Sequence, residues 1–149
     1  MQRLVVLGAM VLVMGCTQRE AEPAADTMAV APAPMLNLAD VAGTWDVNVM
    51  REGSDSVVVQ YQLTATGTTE GWMTVLPNRP PVPLRVTAAG DSVTMDAGPF
   101  ESVLRPGVQV TTHSVARMSG GRLVGTTVAT YPSGPDSVVR LRFEGTKRP

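Results

Sequence analysis

The chain has 149 residues and a formal net charge of −1, with 12 Lys and Arg against 13 Asp and Glu interspersed along it. That balance argues against a nucleic-acid footprint and against a block of one charge for a highly charged partner, and the length suits one domain after a leader. With a single Cys and a single His, the chain has no basis for a disulfide framework or a zinc cluster of His and Cys.

Met1 and Arg3 begin a short positive region, and residues 4–14 form an unbroken apolar run. The run has the length of a signal-peptide core and falls short of the roughly 20 residues that a membrane span requires. It ends in Val13-Met14-Gly15-Cys16. These four residues resemble the lipobox of bacterial lipoproteins: an aliphatic residue, a tolerant position, a small residue and then cysteine, with Met14 where Ala or Ser is usual. The resemblance implies cleavage between Gly15 and Cys16, with Gly15 small enough for a peptidase to reach the backbone. It also implies a thioether-linked diacylglyceryl group on Cys16. Each buried methylene contributes about 0.8 kcal/mol, so several acyl chains would hold the mature terminus firmly on a membrane. The expected location is the cell envelope, on the outer membrane facing the periplasm if the source has two membranes; Thr17 is not the aspartate that retains many lipoproteins on the inner one. The alternative is an ordinary secretory signal with an incidental cysteine.

From Thr17 to about Asn37 the chain is rich in Ala, Pro and acidic residues and has no apolar periodicity. Such a stretch buries too little surface to offset the entropy of ordering and reads as a flexible tether. The division is therefore signal peptide over 1–15, lipidated Cys16 and linker over 16–37, and a folded domain over 38–149.

The folded part opens with a short helical turn over 36–42, capped by Asn37. Segments rich in Val and Thr follow, separated by Gly, Pro, Asp and Ser clusters, which is the pattern of an all-β sandwich or barrel. In 56–66, Val57, Val59, Tyr61, Leu63 and Ala65 alternate with a more polar set. In the last strand Val139, Leu141 and Phe143 alternate with Arg140, Arg142 and Glu144. Further strands are expected over 44–51, 71–76, 84–88, 92–97, 100–104, 108–118 and 122–131. Asp-Ser-Val recurs at Asp55, Asp91 and Asp136, where Asp and Ser suit a turn and Val begins a strand. Ser119-Gly120-Gly121 reads as a hairpin turn. Short connections favour an antiparallel up-and-down barrel of about eight strands, since closure removes exposed edges.

At the first strand, Gly43-Thr44-Trp45 resembles the Gly-X-Trp signature of lipocalins, and avidins open with a similar Gly-Thr-Trp; both are calycin barrels. The resemblance covers roughly residues 39–144 and implies a lipocalin-like barrel in which Trp45 packs across the closed end. There it would lie under an arginine from the last strand, Arg140 or Arg142, and Arg142 is taken as the motif partner. The other lipocalin motifs are not evident. Avidin-type biotin binding is disfavoured, because only Trp45 and Trp72 exist to surround a ring system.

Catalytic chemistry is sparse. His113 stands alone on a strand, and Asp46, Glu70, Asp96 and Glu101 sit at strand ends or on polar faces without an aromatic sugar platform. Trp72 is expected on the outer face or at the barrel mouth. Pro77-Asn78-Arg79-Pro80-Pro81-Val82-Pro83 is expected to be a stiff loop that presents Arg79 to solvent. The sequence therefore predicts a non-enzymatic protein with no cofactor and no metal, held on a membrane and binding a small apolar ligand. The alternative is a structural or interaction protein of the envelope with a filled barrel. The inward residues of a carrier would leave a pocket of roughly 300 Å³ or more.

Overall fold

The structure is a computed structural model that describes residues 35–149. The signal segment, Gly15, Cys16 and most of the linker lie outside the described residues. The described part opens with α1 (Leu38–Val41). The Asn37 carboxamide accepts the Ala39 N–H at 3.0 Å, the capping expected of an Asx residue ahead of a helical turn. Eight strands follow: β1 (Gly43–Arg51), β2 (Val57–Ala65), β3 (Met73–Val75), β4 (Val82–Ala89), β5 (Ser92–Glu101), β6 (Gln109–Ser119), β7 (Arg122–Thr130) and β8 (Val138–Lys147). Each pairs antiparallel with its neighbour, and β1 pairs with β8, so the sheet closes into an all-β, up-and-down barrel.

The turns follow from local chemistry. Ser119 pairs with Arg122 around Gly120 and Gly121, whose φ values of 56° and 77° match a two-residue hairpin with left-handed central residues. Asp55, Asp91 and Asp136 each stand just ahead of the first residues of β2, β5 and β8.

Period-two alternation fills the interior with Val47, Val49, Leu63, Met95, Leu141 and Phe143. Two bulges reset this phase. Val49 pairs with Val59 but Met50 pairs with Val57, so β2 carries one extra residue at Val58. Val57 is thereby turned away from the interior and is 45% exposed, contrary to the inward position expected from simple alternation. In β5, Ala97 pairs with Thr112 and Phe100 with Val110. The extra residue carries the strand through Gly98 and Pro99, so one continuous strand replaces the two expected over 92–97 and 100–104.

Trp72 also differs from expectation. It is 1% exposed and belongs to the core, and its indole N–H donates to the Thr68 carbonyl at 2.7 Å. The 66–72 turn folds back on itself through Thr66 and Thr68, so the indole is directed inward instead of out to solvent.

Candidate functional site

The start of β1, α1 and the end of β8 close one end of the barrel. Trp45 is 0% exposed, and its indole N–H donates to the Val41 carbonyl at 2.8 Å. Trp45 pairs across the sheet with Lys147, whose Nζ lies 5.6 Å from the ring centroid and donates to the Asp40 carbonyl at 3.2 Å. Gly43 makes this crossing possible. Its φ is +137°, and a Cβ there would sit 2.7 Å from the Lys147 Cε.

The cation over Trp45 is therefore Lys147 and not Arg142. On β8 the residues in phase with Val139, Leu141 and Phe143 face the interior, and continuing that phase through Gly145 leads to Lys147. Arg142 has the opposite phase. It pairs with Met50 further along β1, and its guanidinium donates to the Ser54 carbonyl at 2.9 Å and pairs with Asp55 outside the barrel. Arg140 shares that outward phase.

Beyond Trp45, toward the opposite end, the interior holds a cavity of about 100 Å³ walled by Val59, Tyr61, Met95, Phe100, Leu141 and their neighbours. Its buried hydroxyls satisfy one another. Ser114 Oγ and Thr127 Oγ1 are 2.8 Å apart, and Ser102 Oγ is 3.0 Å from the Tyr131 hydroxyl. Ser102 Oγ also accepts the N–H groups of Leu104 and Arg105, each at 3.1 Å. Burial pushes the Tyr61 phenol well above its ordinary pKa. At the mouth, the Arg105 guanidinium lies 4.0 Å over the Tyr131 ring. It also donates to the carbonyls of Pro135 and Asp136 at 3.3 and 2.8 Å, tying the β5–β6 and β7–β8 loops together.

Ligand pockets run from roughly 300 Å³ upward, and even benzene has been accommodated in a cavity of about 150 Å³. The interior volume of about 100 Å³ is below both.

The polar candidates are dispersed. His113 Nδ1 is 2.7 Å from Asp96 Oδ1, with both side chains about half exposed on the outer face. Asp46 binds Arg148, and this contact holds the Arg148 guanidinium above its usual pKa. Glu101 accepts the Gly107 N–H at 3.1 Å and lies 3.5 Å from Arg79, while Glu70 sits in the exposed 66–71 turn. Arg79 also donates to the Glu101 carbonyl, so it fastens its loop to β5 and does not project freely as expected. Among the described residues no group of three or more His, Cys, Asp or Glu comes together as metal ligands.

Sequence reasoning missed Lys147, although counting on in twos from Phe143 reaches it. Tyr61 was recognised only as an inward residue; its place in the cavity wall required the neighbouring strands. No family model, no curated protein and no solved structure matches the chain.

Proposed function

We propose that this chain is a non-enzymatic lipoprotein of the cell envelope, anchored through Cys16, whose lipocalin-like barrel engages a protein partner and does not carry a small molecule. The observation that supports the interaction reading is the interior volume of about 100 Å³, under the roughly 300 Å³ at which ligand pockets begin. The buried hydroxyl pairs Ser114–Thr127 and Ser102–Tyr131 add to it, because they use up polar groups that a ligand would otherwise meet. The anchor reading rests on Val13-Met14-Gly15-Cys16 after the apolar run, and places the protein on the outer membrane facing the periplasm if the source has two membranes. Gly43, Trp45 and Lys147 form the closed end that supports the lipocalin-like assignment.

Native mass spectrometry of the purified protein tests this. The expected spectrum contains the protein mass alone, plus acyl chains where the anchor is retained. A stoichiometric lipid or other apolar molecule released on activation would overturn the reading in favour of a small-ligand carrier. That second reading is favoured by one feature, the largely apolar cavity wall that includes Tyr61.

A further inference from the structure

Two loops stand at the mouth of the barrel, and each is closed on itself. In the β5–β6 loop the Ser102 N–H donates to the Val108 carbonyl at 2.8 Å, and in the β7–β8 loop the Tyr131 N–H donates to the Ser137 carbonyl at 2.7 Å. Within the first loop the Val108 N–H donates to the Arg105 carbonyl at 3.1 Å, and the Leu104 and Arg105 N–H groups turn in to Ser102 Oγ. A neck closed by backbone pairing, with the remaining groups satisfied inside, is the form of a compact surface loop.

No backbone hydrogen bond joins the two loops among the described residues. What joins them comes from side chains of the first. The Arg105 guanidinium covers the Tyr131 ring and donates to the carbonyls of Pro135 and Asp136. Beside it, Ser102 Oγ meets the Tyr131 hydroxyl. Residues 132–136 are exposed, so when the guanidinium lifts away water replaces it at both carbonyls, and no buried acceptor is orphaned. The contact is therefore one that the fold can break and remake without disturbing a strand.

The same residues wall the interior. Ser102, Val103, Leu104 and Tyr131 all line the cavity, and Tyr131 is buried beneath the guanidinium. Moving the first loop outward takes Leu104 out of the wall, and the apolar lining that includes Phe100 and Val110 then meets solvent.

We infer that the β5–β6 loop is a lid over the interior and that Arg105 is its latch on the β7–β8 loop, so that release of the guanidinium from Tyr131 parts the loops and uncovers the apolar lining. The lid is a property of the barrel and goes beyond the interaction reading above, whose test weighs what the interior contains.

The latch is tested by measuring the distance between the loops. Spin labels on Pro106→Cys and Ser133→Cys, placed in the full chain with Cys16→Ser so that no other thiol takes label, report it by pulsed electron resonance. The labelled parent is compared with the same protein carrying Arg105→Met or Arg105→Lys. Met keeps the length of the side chain and packs against an aromatic ring, but it has no charge and no donor. Lys restores a cation over the ring. The parent should give one narrow distance. Arg105→Met should lengthen and broaden it by more than about 2 Å, the scale at which loop rearrangements are recognised, and Arg105→Lys should fall between the two. Fluorescence of 8-anilinonaphthalene-1-sulfonate, a reporter of exposed apolar surface, should rise in Arg105→Met at an unchanged urea midpoint. An unaltered distance in Arg105→Met would overturn the inference, as would Arg105→Lys matching Arg105→Met, because the cation would then not be what holds the loops. Unchanged dye fluorescence would overturn the uncovering of the interior. A fall in the urea midpoint alongside the distance change would also overturn it, since Arg105 would then support the whole barrel and not a lid.

Discussion

Trp45 and Trp72 are both buried indoles donating to a carbonyl, yet the carbonyls differ, and this makes their replacement by Phe informative. Truncating a buried large aromatic to Ala costs about 3–5 kcal/mol, and both tryptophans should show it, being 0% and 1% exposed. With a total stability of about 5–15 kcal/mol for a domain, either Ala variant is marginal. Phe keeps most of the ring and removes the N–H. At Trp45 this orphans the carbonyl of Val41, a residue that is itself 0% exposed, so water is poorly placed to replace the lost donor. An unsatisfied buried acceptor costs about 1–3 kcal/mol. At Trp72 the orphaned carbonyl belongs to Thr68 in an exposed turn, where water substitutes. Trp45→Phe should therefore be the less stable variant by about 1–3 kcal/mol. Urea unfolding followed by circular dichroism reads this directly. With slopes of about 1–3 kcal/mol/M, the gap corresponds to roughly 1 M in midpoint. If Trp72→Phe proves equal to or less stable than Trp45→Phe, at unchanged slope, the argument from the Val41 carbonyl is wrong.

Three other perturbations have defined outcomes. A Cβ on Gly125 would lie 2.2 Å from the Val115 carbonyl and 2.6 Å from Phe143 Cζ. Gly125→Ala should therefore cost about 1–3 kcal/mol as an overpacked site, while Gly67→Ala, whose nearest neighbour is 3.8 Å away, should stay within about 0.5 kcal/mol; equal urea midpoints for the two would refute the clash. Burial raises the folded-state pKa of Tyr61, so above the unfolded tyrosine value of about 10 the native state holds the extra proton and stability falls as pH rises. Tyr61→Phe should flatten the alkaline limb of a midpoint-against-pH curve, and parallel curves for parent and variant would count against it. Metabolic labelling with a palmitate analogue should mark the parent and not Cys16→Ser; label retained in the variant would remove the anchor.

Strand existence was legible wherever apolar and polar residues alternate cleanly, as from Val139 to Glu144, and the turn residues at Gly120 and Gly121 fixed one hairpin. Bulges were not legible. The run Val57-Val58-Val59 offers an apolar side chain to either face, so nothing in it marks the residue that drops out of register. Gly98-Pro99 reads as a break, and only pairing with β6 shows the strand continuing past it. Trp72 follows a polar, Thr- and Gly-rich turn, and its burial depends on that turn folding back through Thr66 and Thr68. The closed end was half visible. Gly43 and Trp45 stand out in the sequence, whereas their partner depends on β1–β8 register, which places Lys147 opposite Trp45 and sends Arg142 outside.

The shortness of β3 has a local cause. After Val75 comes Leu76 and then Pro77, and the approach to β4 carries Pro80 and Pro81. Proline does not donate to a ladder, so neither strand extends its pairing through this stretch, and part of β2 is left without a second neighbour among the described residues. Exposed edges are normally guarded by charged side chains, by prolines on the edge itself or by bulges that twist it away. Residues 57–61 carry no charge and no proline. The bulge at Val58 and the loop fastened by Arg79 to Glu101 are what stand beside them. Both act through shape and not through charge. An edge with steric cover but no electrostatic guard keeps backbone groups able to pair.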